Sequence, residues 1–258
     1  MLRPRITPCL LVHKGGLVKT VGFKAPKYVG DPINAVKIFN EKEADELVVL
    51  DIDASVNNAE PDYRMIANLA AECRMPLCYG GGIKTPEQAK RIISLGVEKV
   101  AISSAAVEHP ELITQIADEI GRQSVVVVLD VKKRLLSKSY DVFTINARNN
   151  TKRSVFELAG KAEKLGAGEL VINSIDLDGA MTGYDLALAE KVRQTVNIPI
   201  TILGGAGKLD DIEALIRLCG VIGASAGSLF VFKGVYKAVL INYPTLVQRD
   251  ELIRRAFY

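Results

Sequence analysis

Tryptophan is absent from this chain of 258 residues, and histidine occurs only twice, at His13 and His109. The four cysteines form no CxxC pair, which is the spacing that structural zinc sites and redox motifs often use. With so few candidate ligands, the sequence predicts neither a bound metal nor a disulfide, and it suggests no cofactor. We interpret the cysteines as small apolar residues of the core.

Long stretches of a single character are also missing. No run of about 18 apolar residues is present, so we predict no membrane-spanning helix. The apolar segment near the N-terminus is short and interrupted by Pro8, which is not typical of a signal peptide. The net charge is only +3, with no cluster of Lys and Arg that would indicate nucleic-acid binding. We therefore expect a cytosolic protein that binds neither a membrane nor nucleic acid.

Eight short apolar runs are present, and a longer amphipathic segment follows each of them. Val125–Val128 show no alternation with polar residues, so both faces of this strand should be buried, as in a parallel sheet covered by helices. Thr85 and Pro86 are typical of a helix start, and an apolar stripe follows them at Ala89, Ile92, Ile93 and Leu95. The eight runs cover residues 5–12, 47–52, 76–79, 99–102, 124–130, 168–173, 199–203 and 221–225.

The two halves of the chain repeat each other. The segment PLCYGGG at 76–82 recurs 123 positions later as PITILGG, and the same shift places Asp53 on Asp176. Two fused halves of four strands each account for this pattern. An open doubly wound sheet would share the alternation of strands and helices but would not explain the duplication. We therefore predict an α/β fold, a (β/α)8 TIM barrel of internally duplicated half-barrels, as a single domain over residues 1–258.

Small residues follow four of the predicted strands. Gly81 and Gly82 lie after the third strand, and Gly204 and Gly205 lie after the seventh. Glycines at such points let backbone N–H groups approach an anion, although one glycine cluster alone is usually only a turn. Hydroxyls and amides follow the fourth and eighth strands, at Ser103, Ser104, Gly227 and Ser228. Two clusters related by the repeat predict two phosphate sites and a substrate with a phosphate at each end.

Aspartates stand at several strand ends, where the active sites of such barrels lie. Each could instead cap a helix or close a turn. Asp130 is the strongest general acid/base candidate because an apolar strand places it at the mouth of the barrel. The repeat places Leu11 at the equivalent position, so only one half offers this carboxylate. The other aspartates at strand ends are Asp51, Asp53, Asp176 and Asp178.

The segment 13–31 is long and basic, with Lys14, Lys19, Lys24 and Lys27. We interpret it as a loop after the first strand. It could form a mobile lid over a phosphorylated substrate, or it could be a solvated loop without that role.

Several of these motifs together resemble one family. CLLVHKGGLVKT, DELVVLDIDAS, GGGI, SIDLDG and GGAGK are similar to the cyclase subunit of imidazole glycerol phosphate synthase, over a range from Arg5 to about Tyr243. The resemblance implies a lyase of histidine biosynthesis that forms a heterodimer with a glutaminase subunit. It implies that ammonia from glutamine passes along the barrel and attacks a bis-phosphorylated ribulosyl aminoimidazole nucleotide.

The resemblance also assigns roles to residues. It implies an ammonia gate formed by charged side chains at strand starts, namely Arg5, Glu46, Lys99 and Glu169. A salt-bridged ring without a transport role would show the same residues. It further implies substrate and phosphate binding by Lys19, Gly81, Gly82, Ser103, Ser104, Asn173, Asp178, Gly204, Gly205, Gly227 and Ser228.

The chain departs from the family pattern at the mouth. The family uses two aspartates as its acid–base pair, and Asp130 matches one of them whereas Leu11 replaces the other. Ser103 stands where asparagine is usual, and Asn173 where threonine is usual. A leucine cannot transfer a proton, so the resemblance leaves cyclase activity open.

Three functions therefore remain. The first, which we favour, is a divergent paralogue that supplies ammonia for amidation of a surface-polysaccharide sugar, as in lipopolysaccharide biosynthesis, with a third amidating enzyme as a further partner. The second is a histidine-biosynthesis cyclase that works with Asp130 alone. The third is a non-catalytic, phosphate-ligand-binding activator of the glutaminase.

Overall fold

The computed structural model describes residues 3–134 and 139–258. The strands in these ranges are β1 (Arg5–His13), β2 (Gly16–Val21), β3 (Lys24–Gly30), β4 (Leu47–Asp51), β5 (Leu77–Gly80), β6 (Lys99–Ile102), β7 (Val125–Lys133), β8 (Tyr140–Thr144), β9 (Asn149–Ser154), β10 (Glu169–Ser174), β11 (Ile200–Leu203), β12 (Gly223–Ala226), β13 (Phe232–Lys233) and β14 (Ala238–Val239).

Helices alternate with these strands. They are α1 (Pro32–Glu41), α2 (Tyr63–Glu72), α3 (Pro86–Ser94), α4 (Ser104–Glu108), α5 (Glu111–Ile120), α6 (Val155–Lys164), α7 (Leu186–Thr195), α8 (Leu209–Cys219), α9 (Ser228–Val231) and α10 (Leu246–Phe257), with a 3-10 turn at Arg122–Ser124. None of the described helices has both the length and the apolar character needed to cross a bilayer.

Eight of the strands form a closed parallel barrel. Their order is β1, β4, β5, β6, β7, β10, β11 and β12, and β12 pairs with β1 to complete the circle. These are the eight apolar runs of the sequence, so the predicted TIM barrel is confirmed. The ends agree within three residues, and the largest difference is at β7, which continues past Asp130 to Lys133.

The strand register shows how the halves correspond. Leu11 on β1 pairs with Leu50 on β4, and Asp130 on β7 pairs with Asn173 on β10. The pair in the first half therefore corresponds to the pair in the second half, and a pseudo-twofold axis relates the two. Leu11 is the structural equivalent of Asp130, and Leu50 is the equivalent of Asn173.

Each half also contains an antiparallel hairpin. β2 and β3 extend β1, and β8 and β9 extend β7 in the same way. The interpretation of residues 13–31 as a loop is therefore wrong, because most of this segment is paired strand. The alternation in GLVKTV and the turn glycines Gly15 and Gly22, both at positive φ, are local indications of a hairpin.

The barrel wall separates two apolar regions. Ile6 and Leu10 point outward and pack against the helices, while Cys9 and Leu11 point into the lumen, as the pleat of a strand requires. The lumen is filled mainly by Cys9, Val48, Cys78, Ala101, Val126, Val128, Val171 and Leu203. Its interior is therefore a packed apolar column between the two ends of the barrel.

Helix α3 begins where the sequence predicts. Thr85 is its N-cap and forms a capping box with Gln88, with Pro86 at the first helical position. Of the predicted apolar stripe, Ala89 and Ile92 are fully buried. The remaining two members, Ile93 and Leu95, are partly buried against the same core.

Candidate active site and charged ring of the barrel

A pocket of about 820 Å³ opens at the carboxyl ends of the barrel strands. This volume is typical of a small-molecule site. The pocket brings together Asp130 and every residue to which the sequence assigned substrate or phosphate binding, from both halves of the chain, whereas the strand-end Asp53 and Asp176 do not line it. These residues are Lys19, Gly81, Gly82, Ser103, Ser104, Asp130, Asn173, Asp178, Gly204, Gly205, Gly227 and Ser228.

Asp130 lies at the top of the lumen with two hydrogen-bond donors. Asn173 Nδ2 donates to its Oδ1 at 2.8 Å, and Ser103 Oγ donates to its Oδ2 at 3.4 Å. Burial raises the pKa of Asp130 to about 6, although both hydrogen bonds act in the opposite direction. A carboxyl group with such a pKa can both give and accept a proton near neutral pH.

The raised pKa predicts that Asp130 destabilises the fold as the pH rises. Between about pH 4 and pH 6 the folded carboxyl keeps a proton that the unfolded chain releases, so its stabilising contribution is lost as the pH passes through the folded pKa. The full effect is at most about 3 kcal/mol. Asp130→Asn should remove this dependence in urea unfolding between pH 4 and pH 7, with Asp118→Asn on α5 as the exposed control. If the free energies of unfolding of Asp130→Asn and of the natural chain depend on pH in the same way, the raised pKa of Asp130 is contradicted.

The equivalent position in the first half is apolar. Leu11 and Leu50 pack against the lumen residues, and Gly227 takes the place that Ser103 has beside Asp130. At this pair of equivalent positions, the second half therefore carries an ionisable carboxyl group and the first half does not. Leu50 and Gly227, the equivalents of Asn173 and Ser103, carry no side-chain hydrogen-bond donor beside Leu11.

Lys19 is part of the pocket wall rather than of an exposed loop. Its side chain is only 5% exposed, and its Nζ donates to the carbonyl oxygen of Cys9 at 2.6 Å. Burial lowers the pKa of this amine. A Cβ atom on Gly227 would lie 2.7 Å from Lys19 Nζ, so the amine borders one of the predicted phosphate sites.

Asp178 links the β2–β3 hairpin to the mouth. Its Oδ2 accepts hydrogen bonds from Thr20 Oγ1 at 2.6 Å and from the Phe23 N–H at 3.0 Å. Burial raises its pKa, while these hydrogen bonds and Lys19 oppose the change. Thr20 and Phe23 line the pocket but were missed from the sequence, because the hairpin that carries them was not predicted.

The other three aspartates serve local structure. Asp51 Oδ1 accepts from the N–H groups of Asp53 and Ala54, so it closes the turn after β4. Asp53 pairs with His13 at 2.7 Å. The equivalent pair in the second half is Asp176 with Lys132, at 3.8 Å. Each pair fastens the loop after one strand to the end of its neighbour.

Gly82 and Gly205 are equivalent positions where only glycine fits. Their φ angles are +74° and +112°, and a Cβ atom would lie 2.8 Å from Ala59 O and 2.1 Å from Gly183 O respectively. Ser104 begins α4 and Ser228 begins α9, so a helix starts beside each glycine turn. This geometry suits the approach of an anion to backbone N–H groups.

The β8–β9 turn also reaches the mouth. The Ile145 N–H donates to Ser104 Oγ at 2.8 Å, and Ile145, Asn146 and Ala147 all have positive φ. A left-handed conformation is unusual for a β-branched residue, so no sequence pattern indicates this contact.

The opposite end of the barrel holds a closed ring of charges, formed by the four predicted gate residues. Arg5 donates to Glu46 at 2.6 Å and to Glu169 at 2.7 Å. Lys99 Nζ lies 2.7 Å from Glu46 and 2.8 Å from Glu169. We call these four residues the charged ring. It stands at the entrance to the lumen, below the apolar column.

The ring residues stabilise one another's charged forms. Burial alone would raise the pKa of Glu169, but Arg5 and Lys99 outweigh it and hold the pKa below its usual value. Burial would likewise lower the pKa of Lys99, and the two glutamates raise it instead. Thr201 Oγ1 also donates to Glu169 at 2.6 Å. All four side chains are paired with one another, and their salt bridges together close the entrance of the lumen.

Comparison with known proteins agrees with the architecture and the motifs. A family described as "Histidine biosynthesis protein" matches residues 5–237. The chain is 60% identical over 253 residues to "Putative imidazole glycerol phosphate synthase subunit hisF3" of Vibrio vulnificus, covering 98% of this chain and 97% of the relative. It is 56% identical to a putative HisF subunit of Leptospira borgpetersenii, covering 98% and 99%. It is 43% identical over 230 residues to "Imidazole glycerol phosphate synthase subunit HisF" of Lactococcus lactis, covering 89% of each chain.

The chain belongs to the HisF family. The resemblance inferred from the motifs is thereby confirmed, and the protein is a HisF-like cyclase-type subunit of the imidazole glycerol phosphate synthase class. The family match ends at residue 237, between β13 and β14. The matches to the Vibrio and Leptospira relatives cover 253 and 252 residues, and the match to the Lactococcus relative covers 230.

Proposed function

We propose that this chain is the ammonia-accepting, synthase-type subunit of a glutamine amidotransferase complex in which cyclase chemistry is weakened. The observation that carries the proposal is the contrast between the two ends of the barrel. The charged ring is complete and closed, whereas the mouth has Leu11 where the acid–base pair requires a second carboxylate.

The charged ring supports the ammonia part of the proposal. Arg5, Glu46, Lys99 and Glu169 lie at the strand starts, and the lumen behind them is apolar. A glutaminase partner bound at this end would release ammonia next to the ring. The apolar column would then favour the neutral molecule over ammonium, because a charge is costly to place among apolar side chains.

The mouth supports a bis-phosphorylated ligand. Two glycine turns with equivalent geometry lie in one pocket, and the buried amine of Lys19 adds positive charge beside one of them. Asp130 is the remaining acid/base group. The further step of the proposal is that ammonia leaving this mouth serves amidation of a surface-polysaccharide sugar by a third enzyme.

A histidine-biosynthesis cyclase is the second candidate. It is favoured by the equivalent geometry of the two glycine turns and by the pKa of about 6 for Asp130. Such a pKa suits a group that acts as acid and base in turn. It requires one carboxyl to perform both proton transfers. The third candidate, a non-catalytic activator of the glutaminase, is favoured by no observation other than the same pocket.

Inorganic phosphate is expected to bind at two positions, beside Gly82 and Ser104 and beside Gly205 and Ser228. The reason is the equivalent geometry of the two turns. Crystals soaked in phosphate should show both anions, and Ser228→Ala should lower occupancy at its own position more than at the other. If neither position is occupied at millimolar phosphate, a bis-phosphorylated ligand is the wrong assignment.

The proposed function is tested by following two reactions in one sample. With the glutaminase partner and the ribulosyl aminoimidazole nucleotide present, we expect glutamine to be hydrolysed without a matching consumption of nucleotide. Consumption of one nucleotide per glutamine, at ordinary enzyme rates, would instead establish the histidine cyclase.

A further inference from the structure

Two hairpins expose large apolar side chains at the mouth end of the barrel. Val235 and Tyr236, at the turn between β13 and β14, are 94% and 96% exposed. Half of the large apolar side chains that are exposed in the described ranges lie in this hairpin or in the β2–β3 hairpin. They are Val21, Tyr28, Val235, Tyr236, Val239 and Leu240. We call residues 21–28 and 232–240 together the hairpin surface.

The charge of the hairpin surface has one sign. Lys24, Lys27, Lys233 and Lys237 are exposed on it, and neither segment contains an aspartate or glutamate. The chain as a whole has nearly balanced charge, with 33 basic and 30 acidic residues. The surface is therefore a local basic area with an apolar centre, and its electrostatic complement is acidic.

The two hairpins are in contact with each other and with the mouth. Lys27 Nζ lies 5.3 Å from the ring centre of Phe232, which joins β3 to β13 by a cation–π contact. The Gly22 N–H donates to Asp178 O at 3.0 Å, and Phe23 lines the pocket. β13 directly follows α9, which begins at Ser228. Whatever covers the hairpin surface therefore also borders the pocket opening.

We propose that the hairpin surface is the docking site of a protein that takes up the ammonia leaving the mouth. This protein binds through an apolar patch of its own that is surrounded by acidic residues. This inference rests on the proposed function. Tyr236 and Val235 form the centre of the contact, and the lysines pair with carboxylates around it, as in specific protein interfaces. Docking beside the opening shields ammonia from water on its way to the second active site.

Two other occupants fit the surface less well. A bilayer over the mouth would separate the phosphate sites from solvent and contains nothing that consumes ammonia. A second copy of the chain would bring two basic surfaces together. In addition, β3 is an edge strand, and its residues Lys24, Pro26 and Lys27 oppose pairing with a strand of another copy. An acidic protein satisfies both the charge and the position.

The first part of the test identifies the occupant in cells of the source organism. A photo-crosslinking amino acid replaces Tyr236, and in a parallel strain it replaces Tyr258, which is fully exposed outside the hairpin surface. We expect position 236, and not 258, to crosslink to an acidic enzyme other than the glutaminase. A crosslink only to lipid, to the glutaminase, to a second copy, or to nothing overturns the proposal.

The second part measures the affinity of the purified full-length chain for the crosslinked enzyme. Tyr236→Ser and Lys237→Glu should each weaken the Kd at least about tenfold, and added salt should weaken it further. Leu218→Ser on α8 and Lys90→Glu on α3 are the matched controls and should leave the Kd unchanged. Equal effects of variants and controls would contradict the docking site. So would stronger binding to phosphatidylglycerol vesicles than to the enzyme.

Failure of docking and failure of the proposed function give different results. If the chain consumes the nucleotide at ordinary rates, the proposed function is wrong whatever binds at Tyr236. If nucleotide consumption is low and position 236 has no specific partner, only the docking site is wrong.

Discussion

Lys99→Glu is expected to lower the free energy of unfolding by about 3–5 kcal/mol, the cost of breaking a buried ion pair by removing one partner. Lys99 contacts both Glu46 and Glu169, so the change places a third carboxylate between two others with only Arg5 left to balance them. We also expect transfer of glutamine-derived ammonia into the barrel to fall sharply. Chemical unfolding and a glutamine-dependent assay of the complex measure the two effects.

The controls separate the ring from the rest of the molecule. Lys99→Met removes the positive charge without adding a negative one and should have a smaller effect on stability. Lys90→Glu breaks an exposed pair with Glu119 and should change neither stability nor transfer appreciably. Phosphate binding at the mouth should persist in all three variants. Equal loss of ammonia transfer and phosphate binding would show that the ring has no separate role.

Leu11→Asp is expected to raise ammonium-dependent turnover of the histidine-pathway nucleotide at least about tenfold. The natural chain lacks the second carboxylate, and loss of an acid/base group typically costs about 100- to 10,000-fold in rate. A 1000-fold deficit corresponds to about 4 kcal/mol of transition-state stabilisation. Recovery should be partial, because Leu50 and Gly227 stand where Asp130 has Asn173 and Ser103 as donors.

The matched variant for this experiment is Asp130→Asn in the same background. If Leu11→Asp restores an acid–base pair, removing Asp130 should abolish the gain. Phosphate binding checks that each variant is folded, since a carboxylate at position 11 faces the apolar lumen. A gain that survives Asp130→Asn would mean that the two positions do not act together.

The barrel could be predicted from the sequence because its strands are buried on both faces. Runs such as Val125–Leu129 cannot belong to a solvated sheet. The repeat of PLCYGGG indicates two equivalent halves of four strands, which together close into a barrel. The β2–β3 and β8–β9 hairpins were missed because their strands contain many polar residues, and β9 (NNTKRS) contains no apolar residue. Such a composition is also typical of loops, so the local signals in GLVKTV were not sufficient by themselves, and the pairing with β1 and β7 is what shows the strands.

The site shows the same division. Glycine turns and strand-end aspartates are local signals, so these residues of the pocket could be named from the sequence, whereas Thr20 and Phe23 could not. The burial of Lys19 could not be predicted, because lysine is almost always exposed and this burial depends on a hydrogen bond to the carbonyl of Cys9 on the adjacent strand. The charged ring was identified through family resemblance alone. Its closure into mutual ion pairs follows from the strand register, which joins residues separated by as many as 164 positions.

The most direct measurement is the turnover of the bis-phosphorylated nucleotide by the purified natural chain with saturating free ammonium. Free ammonium bypasses the glutaminase and the ring, so the rate reports on the mouth alone. The proposed function predicts a rate about 1000-fold below that of a HisF enzyme with both aspartates, measured in parallel. Turnover at ordinary enzyme rates that is abolished by Asp130→Asn would contradict it and would establish a histidine cyclase that works with one carboxylate.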